Sequence, residues 1–506
     1  MKITKSMLLL CGILLLALFL RFYQITTNPP GLYIDEVSIG LNAYDILTTG
    51  RDQYGVPYPL AFRSFGDYKM PVYIYLVSGS MALFGKTEFA VRFPSAFFGT
   101  LTVLAIFLLM RELLQVDKKL KPYALPAALT SALLFAILPW HLQFSRGGFE
   151  VCVALCFYLF GLFFAIRYWK TRAQRYLFAA LFLFSLSMYT YHTYRIHVPI
   201  TILAGIAVAL WNRIKIKEII LALGIFLCIS FPLFSFSITP HGYERLSQTS
   251  AFSNSFSAMS ILTDLVIFFN NYLSFFSLTY LFHLGDQINR HQVQNFGLLY
   301  LWQLPFILTG LYFIIKTKNI LLRSFILFFL LVGPIAASFA RPSPHTLRFL
   351  FGSVAFTLLT ILGILQVLTN IKKEKLKFMI GIIMFMSVIG FGYYVDYYFV
   401  HYPKEAQIDW GGQCKQLTTS IKNYAPKYDA IIVDKNVLCI PDYFSFYIPE
   451  IRVQYVSSTW KKDPKDEKKK FLYVRPYYGN PKPDKILENI YLTNRQHDVF
   501  AQIYKL

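Results

Sequence analysis

Charged residues are scarce in this sequence. Asp, Glu, Lys and Arg make up 15% of its 506 residues, whereas about a quarter of the residues of a soluble protein are charged. Hydrophobic residues make up 56% and aromatic residues 18%, which is more apolar surface than a soluble chain of this length needs for its core. This composition excludes an ordinary soluble protein and predicts a chain that lies in a lipid bilayer.

Acidic residues are especially few. The 27 Asp and Glu residues are outnumbered by 49 Lys and Arg residues, so the formal net charge is +22. A basic excess also occurs in proteins that bind nucleic acids, but here the Lys and Arg residues gather in short clusters between apolar runs. That arrangement is typical of the cytoplasmic loops of membrane proteins. We therefore expect membrane lipids around the chain and no nucleic-acid partner.

Motifs for metals and cofactors are also missing. The sequence has no HExxH or CxxC spacing, no P-loop and no dinucleotide fingerprint. We therefore expect no metal ion and no cofactor, and a free nucleotide is a poor candidate for a substrate.

Cysteine is rare as well. Four of the six cysteines lie inside apolar runs, where they are most simply small core residues, and the other two, Cys414 and Cys439, lie in the polar C-terminal region. These two are able to form a disulfide if that region is extracytoplasmic.

Long apolar runs are abundant. A run of about 17 to 25 residues spans a bilayer as a helix, and shorter runs need flanking residues to do so. We predict eleven transmembrane helices, at residues 7–20, 93–110, 123–139, 151–166, 176–188, 198–210, 219–236, 297–315, 324–340, 349–368 and 378–393.

The basic clusters predict the orientation of these helices. Clusters precede the first run and follow the second, fourth, sixth, eighth and tenth runs, so alternate threading places all of them on one side. By the positive-inside rule this side is the cytoplasm. We expect a multi-pass plasma-membrane protein with a cytoplasmic N-terminus and an extracytoplasmic C-terminus. The first run resembles a signal peptide, but no cleavage site follows it, so we interpret it as an uncleaved helix.

A competing count would make residues 262–276 a twelfth span, which would place the basic cluster at 372–377 outside. We instead interpret 262–276, and also 70–85, as interfacial helices in two long outer loops, 23–92 and 241–296. We assign residues 1–399 to the transmembrane domain and 400–506 to a small extracytoplasmic α/β domain. In that domain EAQIDWGGQCKQLTTSIKNY predicts a helix, and YDAIIVDK, FLYVRPYY and VFAQIYKL predict strands. The charged run 461–470 is typical of a solvated loop.

The outer loops collect the ionisable residues that the spans avoid. They carry the adjacent pair Asp35-Glu36 and the stretches GDYKMP, HLQFSRGGFE, YHTYRIH, GDQINRH and RPSPHTLR. Ionisable groups near the bilayer are costly and usually line a cavity. Cations beside a carboxylate suit a reaction in which a lipid-borne phosphate leaves, because the cations neutralise the phosphate and the carboxylate accepts a proton from the attacking hydroxyl.

Several of these stretches occur in the order of a known family. YIDEVSIGLNAYDILTTGRD, GDYKMPVYIYL and LFGKTEFAVRFPSAFFGTLTVLAIFLLMREL resemble the first outer loop and second span of bacterial protein O-mannosyltransferase-like glycosyltransferases, which are similar to the lipid A aminoarabinose transferases. PWHLQFSRGGFE, SMYTYHTYRIHVP, GDQINRHQVQNFGLLYLWQLPFILTGLY and PHTLRFL resemble later loops of that family.

The resemblance implies a GT-C fold and a membrane glycosyltransferase that uses a polyprenyl-phosphate sugar and inverts the sugar carbon. It implies that Asp35 is the catalytic base, that Glu36 supports it, and that Lys69 contacts the donor phosphate. The family's usual Lys-Pro-Pro is Lys69-Met70-Pro71 here. By motif position, the other residues of the cavity would be Arg146, His192, Arg195, Arg290, His291, His345 and Arg348.

We therefore expect a hexosyl or pentosyl transferase that moves a sugar from a polyprenyl-phosphate donor to a hydroxyl of a protein, a glycan or a lipid on the outer face. The alternatives are a transporter or flippase of lipid-linked saccharides and a non-catalytic envelope protein.

Structural roles are also compatible with the same residues. Asp35 and Glu36 suit the first turn of a helix, and Lys69 suits a snorkelling position at the interface. Arg146 and Glu150 are spaced to pair on one helix face, and we interpret Glu88 and Arg92 as structural.

Overall fold

Helices make up most of the described chain. The structure is a computed structural model that describes residues 5–115, 118–242, 244, 250–252, 258–294, 296–457, 465, 469–476, 486–492 and 495–505. Contacts divide the chain into two compact units. The first contains Met1–Tyr23, Pro59–Leu76 and Arg92–Val395, and the second contains Gln24–Tyr58, Val77–Val91 and Asp396–Leu506.

The N-terminal half of the chain is helical apart from one short hairpin. Its elements are α1 (Lys5–Phe22), α2 (Ile34–Thr49), β1 (Phe62–Ser64), β2 (Asp67–Lys69), α3 (Pro71–Phe84), α4 (Glu88–Gln115), α5 (Ala124–Ile137), α6 (Pro139–Phe144), α7 (Glu150–Thr171), α8 (Gln174–Met188), α9 (Tyr194–Trp211) and α10 (Ile216–Ser237).

The C-terminal half contains helices first and a sheet at the end. Its elements are α11 (Ala258–Ser274), α12 (Leu304–Lys316), α13 (Ile320–Val332), α14 (Ile335–Ser338), α15 (Gly352–Asn370), α16 (Lys373–Asp396), α17 (Tyr402–Glu405), α18 (Gly412–Tyr424), β3 (Ala430–Asp434), α19 (Pro441–Tyr447), β4 (Val453–Val456), β5 (Phe471–Pro476), β6 (Ile486–Leu492) and β7 (Arg495–Lys505).

The described helices confirm the predicted polytopic helical architecture. Eight are long and apolar enough to cross a membrane, namely Lys5–Phe22, Glu88–Gln115, Glu150–Thr171, Tyr194–Trp211, Ile216–Ser237, Ile320–Ser338, Gly352–Asn370 and Lys373–Glu405. The shorter apolar segments Lys121–Ile137, Gln174–Met188 and Leu301–Lys316 coincide with the other three predicted spans. Helices satisfy their own backbone hydrogen bonds, which is why apolar runs of this length adopt them in a bilayer. The number that cross the membrane, and the side on which each end lies, stay predictions.

The two predicted interfacial segments are also helical. The segment 70–85 contains α3 (Pro71–Phe84), which is largely apolar, and residues 262–276 fall largely on α11. Their position at the membrane interface stays a prediction.

Glycines permit close packing of two helices in the first unit. A Cβ atom on Gly363 of α15 would overlap the carbonyl of Phe306 in α12, and one on Gly310 of α12 would overlap the carbonyl of Leu359 in α15. Each helix therefore places a glycine against the backbone of the other. Small residues at such contacts let membrane helices gain van der Waals contact.

The second unit contains a five-stranded mixed sheet with the order β4-β3-β5-β7-β6. Strand β3 pairs in parallel with β4 and β5, whereas β7 pairs antiparallel with β5 and β6. Buried side chains follow one another along β3, as is typical of a parallel strand covered on both faces. The sheet confirms the predicted C-terminal α/β region, and β3, β5 and β7 fall on the three predicted strands.

The sequence did not predict every element of this unit. Strands β4 and β6 and helix α19 come in addition to the predicted elements. The unit also begins at Asp396 and takes in Gln24–Tyr58 and Val77–Val91, which the sequence assigned to the transmembrane domain. The boundary between residues 399 and 400 stays a prediction. Most of the run 461–470 lies outside the described residues.

A disulfide joins Cys414 and Cys439, whose Cα atoms lie 5.6 Å apart. Both residues are buried, and Cys414 lies in α18 with Leu417 and Ile421 on its buried face. The bond ties α18 to the segment that follows β3. A buried disulfide is typical of an oxidising compartment.

We expect Gly363→Ala to destabilise the protein, because its Cβ would overlap the backbone of α12. The expected cost is about 1–3 kcal/mol of unfolding free energy, as for other overpacked sites. Gly381→Ala in α16 is the matched control, since no heavy atom lies within 4 Å of its Cβ position. Thermal unfolding of both variants in detergent measures the difference; equal melting temperatures would contradict the close packing of α12 against α15.

We expect removal of the disulfide by Cys414→Ser and Cys439→Ser to cost roughly 2–4 kcal/mol. Alkylation of the unfolded wild type should modify four cysteines before reduction and six after it, because Cys11, Cys152, Cys156 and Cys228 are free. Cys228→Ser, at an exposed free cysteine, is the control for stability. Alkylation of six cysteines without reductant would show that the bond does not form.

Candidate active site

Glu36 fixes the start of α2. Tyr33 precedes the helix in an extended conformation, and its backbone N–H donates to Glu36 Oε2 at 3.1 Å. Glu36 is 0% exposed. A carboxylate in the first turn satisfies a backbone donor and is stabilised by the helix dipole. Glu36 therefore has a structural role at this helix end, and its predicted support of catalysis by Asp35 stays a prediction.

Asp35 lies beside it in the same first turn and is half-buried. Because neighbouring positions on a helix point in different directions, Asp35 and Glu36 have different surroundings. Of the two carboxylates, Asp35 is the more accessible, as a residue that exchanges protons with a substrate must be.

C-terminal residues hold the segment that leads into α2. The Tyr33 and Trp410 rings meet edge to face with centroids 5.4 Å apart, and the Leu32 N–H donates to the Tyr447 hydroxyl at 3.3 Å. A Cβ on Gly31 would come within 2.7 Å of the Trp410 carbonyl oxygen, so only glycine fits there. The position of Asp35 thus depends on residues far away in the sequence.

Glu88 is part of the same support. Its Oε1 accepts from the Tyr447 hydroxyl at 2.5 Å, and its Oε2 pairs with Lys415 Nζ at 2.6 Å. Glu88 is buried. The structural role expected from the sequence is met through Lys415 and Tyr447, which the sequence did not single out.

Lys69 ends the short hairpin of the first unit. Phe62 pairs with Lys69 across β1 and β2, and the two turn residues, Phe65 and Gly66, have φ of 51° and 76°. Two positive φ values are the mark of the tight hairpin turn that suits strand twist. Lys69 is only 8% exposed, so its ammonium group is largely removed from water.

Two further predicted residues contact the chain on either side of Lys69. His192 Nε2 lies 3.0 Å from the Tyr68 carbonyl oxygen, and Arg195 Nη2 lies 2.6 Å from Met70 Sδ. Both are half-buried. The structure therefore places His192 and Arg195 against the two residues that flank Lys69.

Met70, which follows Lys69, contacts the guanidinium of Arg195. Its thioether sulfur accepts from Arg195, which a proline at this position has no atom to do. A methionine here gives the Arg195 guanidinium a partner one residue after Lys69, and Pro71 opens α3.

A second group of predicted residues forms around Asp286. His291 Nδ1 lies 2.7 Å from Asp286 Oδ2, and the His291 and His345 rings have centroids 4.7 Å apart. All three residues are buried. Burial alone would raise the pKa of Asp286, but His291 and the backbone N–H groups of Thr346 and Ile288 outweigh it and lower that pKa. Asp286 is therefore an ionised carboxylate that is buried away from solvent.

Arg146 is engaged in structure. It is 0% exposed, and it donates to the carbonyl oxygens of Leu20 and Tyr23, the latter at 2.7 Å. These carbonyls belong to the C-terminal end of α1, whose last carbonyl groups have no partner within the helix. The phosphate contact of Arg146 stays a prediction, and the observed contacts of its guanidinium are those of a helix cap.

The two remaining predicted arginines lie in loops. Arg290 is half-buried, and its carbonyl oxygen accepts from Gln143 Nε2 at 2.9 Å. Arg348 donates to the Arg341 carbonyl oxygen at 3.0 Å. Arg290 precedes His291 and Arg348 follows His345 by three positions, so both belong to the loops of the Asp286 group.

Buried Arg21 and His141 form a pair that the sequence did not predict. Arg21 Nη2 donates to His141 Nδ1 at 2.9 Å, and Arg21 Nη1 donates to the Ala17 and Ala136 carbonyl oxygens. A guanidinium has no acceptor, so His141 carries any proton at Nε2. Burial lowers the pKa of His141 well below its ordinary value, and the charge of Arg21 lowers it further. His141 is thus neutral and joins α1 to α6.

An apolar cavity of about 380 Å³ lies elsewhere in the first unit, among α7, α8, α9, α10 and α13. Its described lining contains Arg172 and Glu218 but none of the predicted site residues. The candidate site is therefore defined by its polar groups and not by this cavity.

Asp35 and Glu36 belong to the second unit, whereas Lys69, His192, Arg195 and the Asp286 group belong to the first. Of the residues that carry these arrangements, Met70, Tyr68 and Asp286 were missed as site residues. Asp286 lies in the outer-loop stretch GDQINRH. An acidic side chain next to basic residues was the sequence feature that could have identified it as a site residue.

Comparisons with known proteins agree with the resemblance. Residues 68–236 match the family described as dolichyl-phosphate-mannose-protein mannosyltransferase. No curated protein matches the chain significantly.

Solved structures share the fold over nearly the whole chain. The crystal structure of ArnT from Cupriavidus metallidurans bound to undecaprenyl phosphate has a TM-score of 0.58 at 11% identity and covers 98% of this chain and 97% of that one. Its apo state has a TM-score of 0.56 at 12% identity, with 99% and 98% covered. The apo oligosaccharyltransferase of Archaeoglobus fulgidus has a TM-score of 0.54 at 15% identity, with 90% and 65% covered.

At these identities the structural likeness establishes the fold. Residues 68–236 are similar to the dolichyl-phosphate-mannose-protein mannosyltransferase family, and the chain shares the GT-C fold of ArnT and of the archaeal oligosaccharyltransferase.

Proposed function

We propose that this protein transfers a sugar from a polyprenyl-phosphate carrier to an acceptor hydroxyl on the outer face of the membrane. The observation that carries the proposal is that His192 and Arg195 contact the residues on either side of buried Lys69, at the end of the β1–β2 hairpin. Basic groups near the membrane surface attract an anion, and the matched family takes its sugar from a lipid phosphate. The neighbour ArnT is bound to undecaprenyl phosphate, which supports the same class of donor here.

The reaction is a substitution at the anomeric carbon of the sugar. The acceptor oxygen attacks from the face opposite the phosphate and inverts that carbon. The bond between the anomeric carbon and the phosphate oxygen breaks, and its electron pair leaves with the polyprenyl phosphate. The acceptor's proton goes to Asp35, which acts as general base.

Lys69 is the principal phosphate ligand in this proposal. Its ammonium is a compact charge with three donors, and its burial strengthens its attraction for an anion, since water screens it less. Arg195, oriented by Met70, and His192, placed by the Tyr68 carbonyl, would add donors on the two sides of Lys69. Such donors act most strongly on the charge that develops on the leaving oxygen.

The supporting residues have separate tasks. Glu36 holds the first turn of α2, so it positions Asp35 without touching the substrate. Arg290 and Arg348 remain predicted phosphate contacts from the loops beside the Asp286 group. The contacts of Arg146 suit a helix cap better than a phosphate ligand. His291 and His345 pack with Asp286, and their predicted contact with phosphate is the weakest of the set.

The proposed setting is the outer leaflet of the plasma membrane, with the N-terminus in the cytoplasm and the C-terminal region outside. The basic loops support this orientation, and the Cys414–Cys439 disulfide supports an oxidising compartment for the second unit. A protein, a glycan and a lipid remain the candidate acceptors.

We expect Asp35→Asn to lower sugar transfer by about 10²-fold to 10⁴-fold, the usual contribution of a general base. The measurement is transfer of labelled sugar from a polyprenyl-phosphate donor in proteoliposomes. Asp45→Asn is the matched control, because Asp45 lies in the same helix and is also half-buried. Unchanged transfer by Asp35→Asn would refute the role given to Asp35. Movement of the lipid-linked sugar across the bilayer without transfer would favour the flippase alternative.

We expect Lys69→Met to lower kcat by roughly 10²-fold to 10³-fold, as the loss of one donor to a developing anion does. Binding of the lipid phosphate should also weaken. Arg63→Gln removes a basic side chain from the paired strand at an exposed position and should leave both quantities near wild type. Equal loss in the two variants would mean that general surface charge, and not Lys69, binds the phosphate.

A further inference from the structure

Asp286, His291 and His345 form a buried group of three residues with metal-binding side chains. One ligand atom from each lies within 4.8 Å of the other two, and the side chains are 6%, 4% and 7% exposed. They come from two segments, the turn after α11 and the loop before α15. Their sequence positions follow no short metal motif, so the group is visible only in the folded chain.

The hydrogen bonds of Asp286 define its charge and the tautomer of His291. Asp286 Oδ1 accepts from the Ile288 N–H at 2.8 Å, and Oδ2 accepts from the Thr346 N–H at 2.7 Å as well as facing His291 Nδ1. An ionised carboxylate is only an acceptor. His291 Nδ1 therefore donates to Asp286 Oδ2. The backbone hydrogen bonds hold the negatively charged carboxylate in a fixed position, in which it is able to act as a metal ligand.

The imidazole of His345 is not needed as a hydrogen-bond donor to the Asp286 carboxylate. The bond from His291 and the two backbone donors already engage both carboxylate oxygens. His345 nevertheless brings its nitrogen into the same small volume. Phe144 and Phe149 pack against the His291 ring, with centroids 5.4 and 6.3 Å away, which keeps the place largely dry. Two imidazoles and a carboxylate in a dry place are a set of ligands for a cation.

The donor set selects the kind of cation. Mg²⁺ and Ca²⁺ prefer oxygen ligands alone, whereas two imidazole nitrogens and one carboxylate oxygen are a common set for Zn²⁺. Zn²⁺ bonds of about 2.0–2.1 Å place tetrahedral ligand atoms roughly 3.3 Å apart. Atoms that already lie within 4.8 Å of one another reach this spacing through side-chain movements on the order of 1 Å, without a change of fold.

We propose that Asp286, His291 and His345 bind one Zn²⁺ ion, with the fourth position left to water or another exchangeable ligand. Binding through Nδ1 uses the other neutral tautomer of His291, in which the ring proton has moved from Nδ1 to Nε2, and the cation takes the place of that proton as the partner of the Asp286 carboxylate. The ion ties the turn that contains residues 285–292 to the loop that contains 341–348. The proposal holds whether or not the protein transfers a sugar.

The first test uses the full-length protein in detergent. After removal of metal with a chelator and dialysis, Zn²⁺ is added and the retained metal is measured by elemental analysis together with the melting temperature. We expect about one Zn²⁺ per chain, a rise in melting temperature and reversal of that rise by chelator, since a ligand that binds only the folded state stabilises it. Co²⁺ in place of Zn²⁺ should give the visible absorption of a four-coordinate site. A wild-type protein that retains no Zn²⁺ overturns the proposal.

The second test assigns the ligands. Asp286→Asn and His345→Gln should each weaken Zn²⁺ binding at least about tenfold, by analogy with the loss of even indirect partners of metal ligands. His283→Gln is the matched control, because His283 lies in the same segment but is exposed. Equal Zn²⁺ retention by the wild type and both ligand variants would place the ion elsewhere and overturn the assignment. Because metal content and melting temperature are the readouts, the result stands apart from any measurement of sugar transfer.

Discussion

A charged side chain buried in an apolar protein must find polar partners, and this requirement organises the described structure. Arg21 finds two helix carbonyls and His141, and Arg146 finds the carbonyls at the end of α1. Glu88 finds Lys415 and Tyr447. Glu88 is paired with a cation, and the two guanidinium groups donate to carbonyl oxygens and, from Arg21, to a ring nitrogen, because an isolated charge would cost several kcal/mol in such surroundings.

The candidate catalytic groups differ from these structural charges in their contacts and in their exposure. Glu36 is occupied with the backbone of Tyr33, so it supports α2, whereas Asp35 is the more exposed of the pair. Lys69 is buried at the end of a hairpin whose flanking residues are held by His192 and Arg195. A rigid hairpin and a rigid helix start are suitable platforms for a base and a phosphate ligand, since catalysis depends on groups that are positioned before the reaction.

The carboxylate of Asp286 changes the function that we infer for His291 and His345. From the sequence, His291 and His345 were expected to face a donor phosphate beside Arg290 and Arg348. In the structure both pack with Asp286, an anion that repels phosphate and attracts a cation. The same loops would therefore serve two purposes: their arginines stay predicted phosphate contacts, and their histidines would hold the proposed metal ion, which joins the loops.

The sequence by itself determined the class of fold, because eleven apolar runs, basic clusters and a polar tail with alternating strands record the demands of a bilayer and a small sheet. It also singled out Asp35, Glu36 and Lys69, since ionisable residues stand out in so apolar a chain. Only the tertiary structure decided what each residue contacts. The Met70–Arg195 contact, the support of α2 by Trp410 and Tyr447, and the meeting of Asp286 with His345 all join distant parts of the chain. Such pairings arise from packing in three dimensions, and no local pattern of residues encodes them.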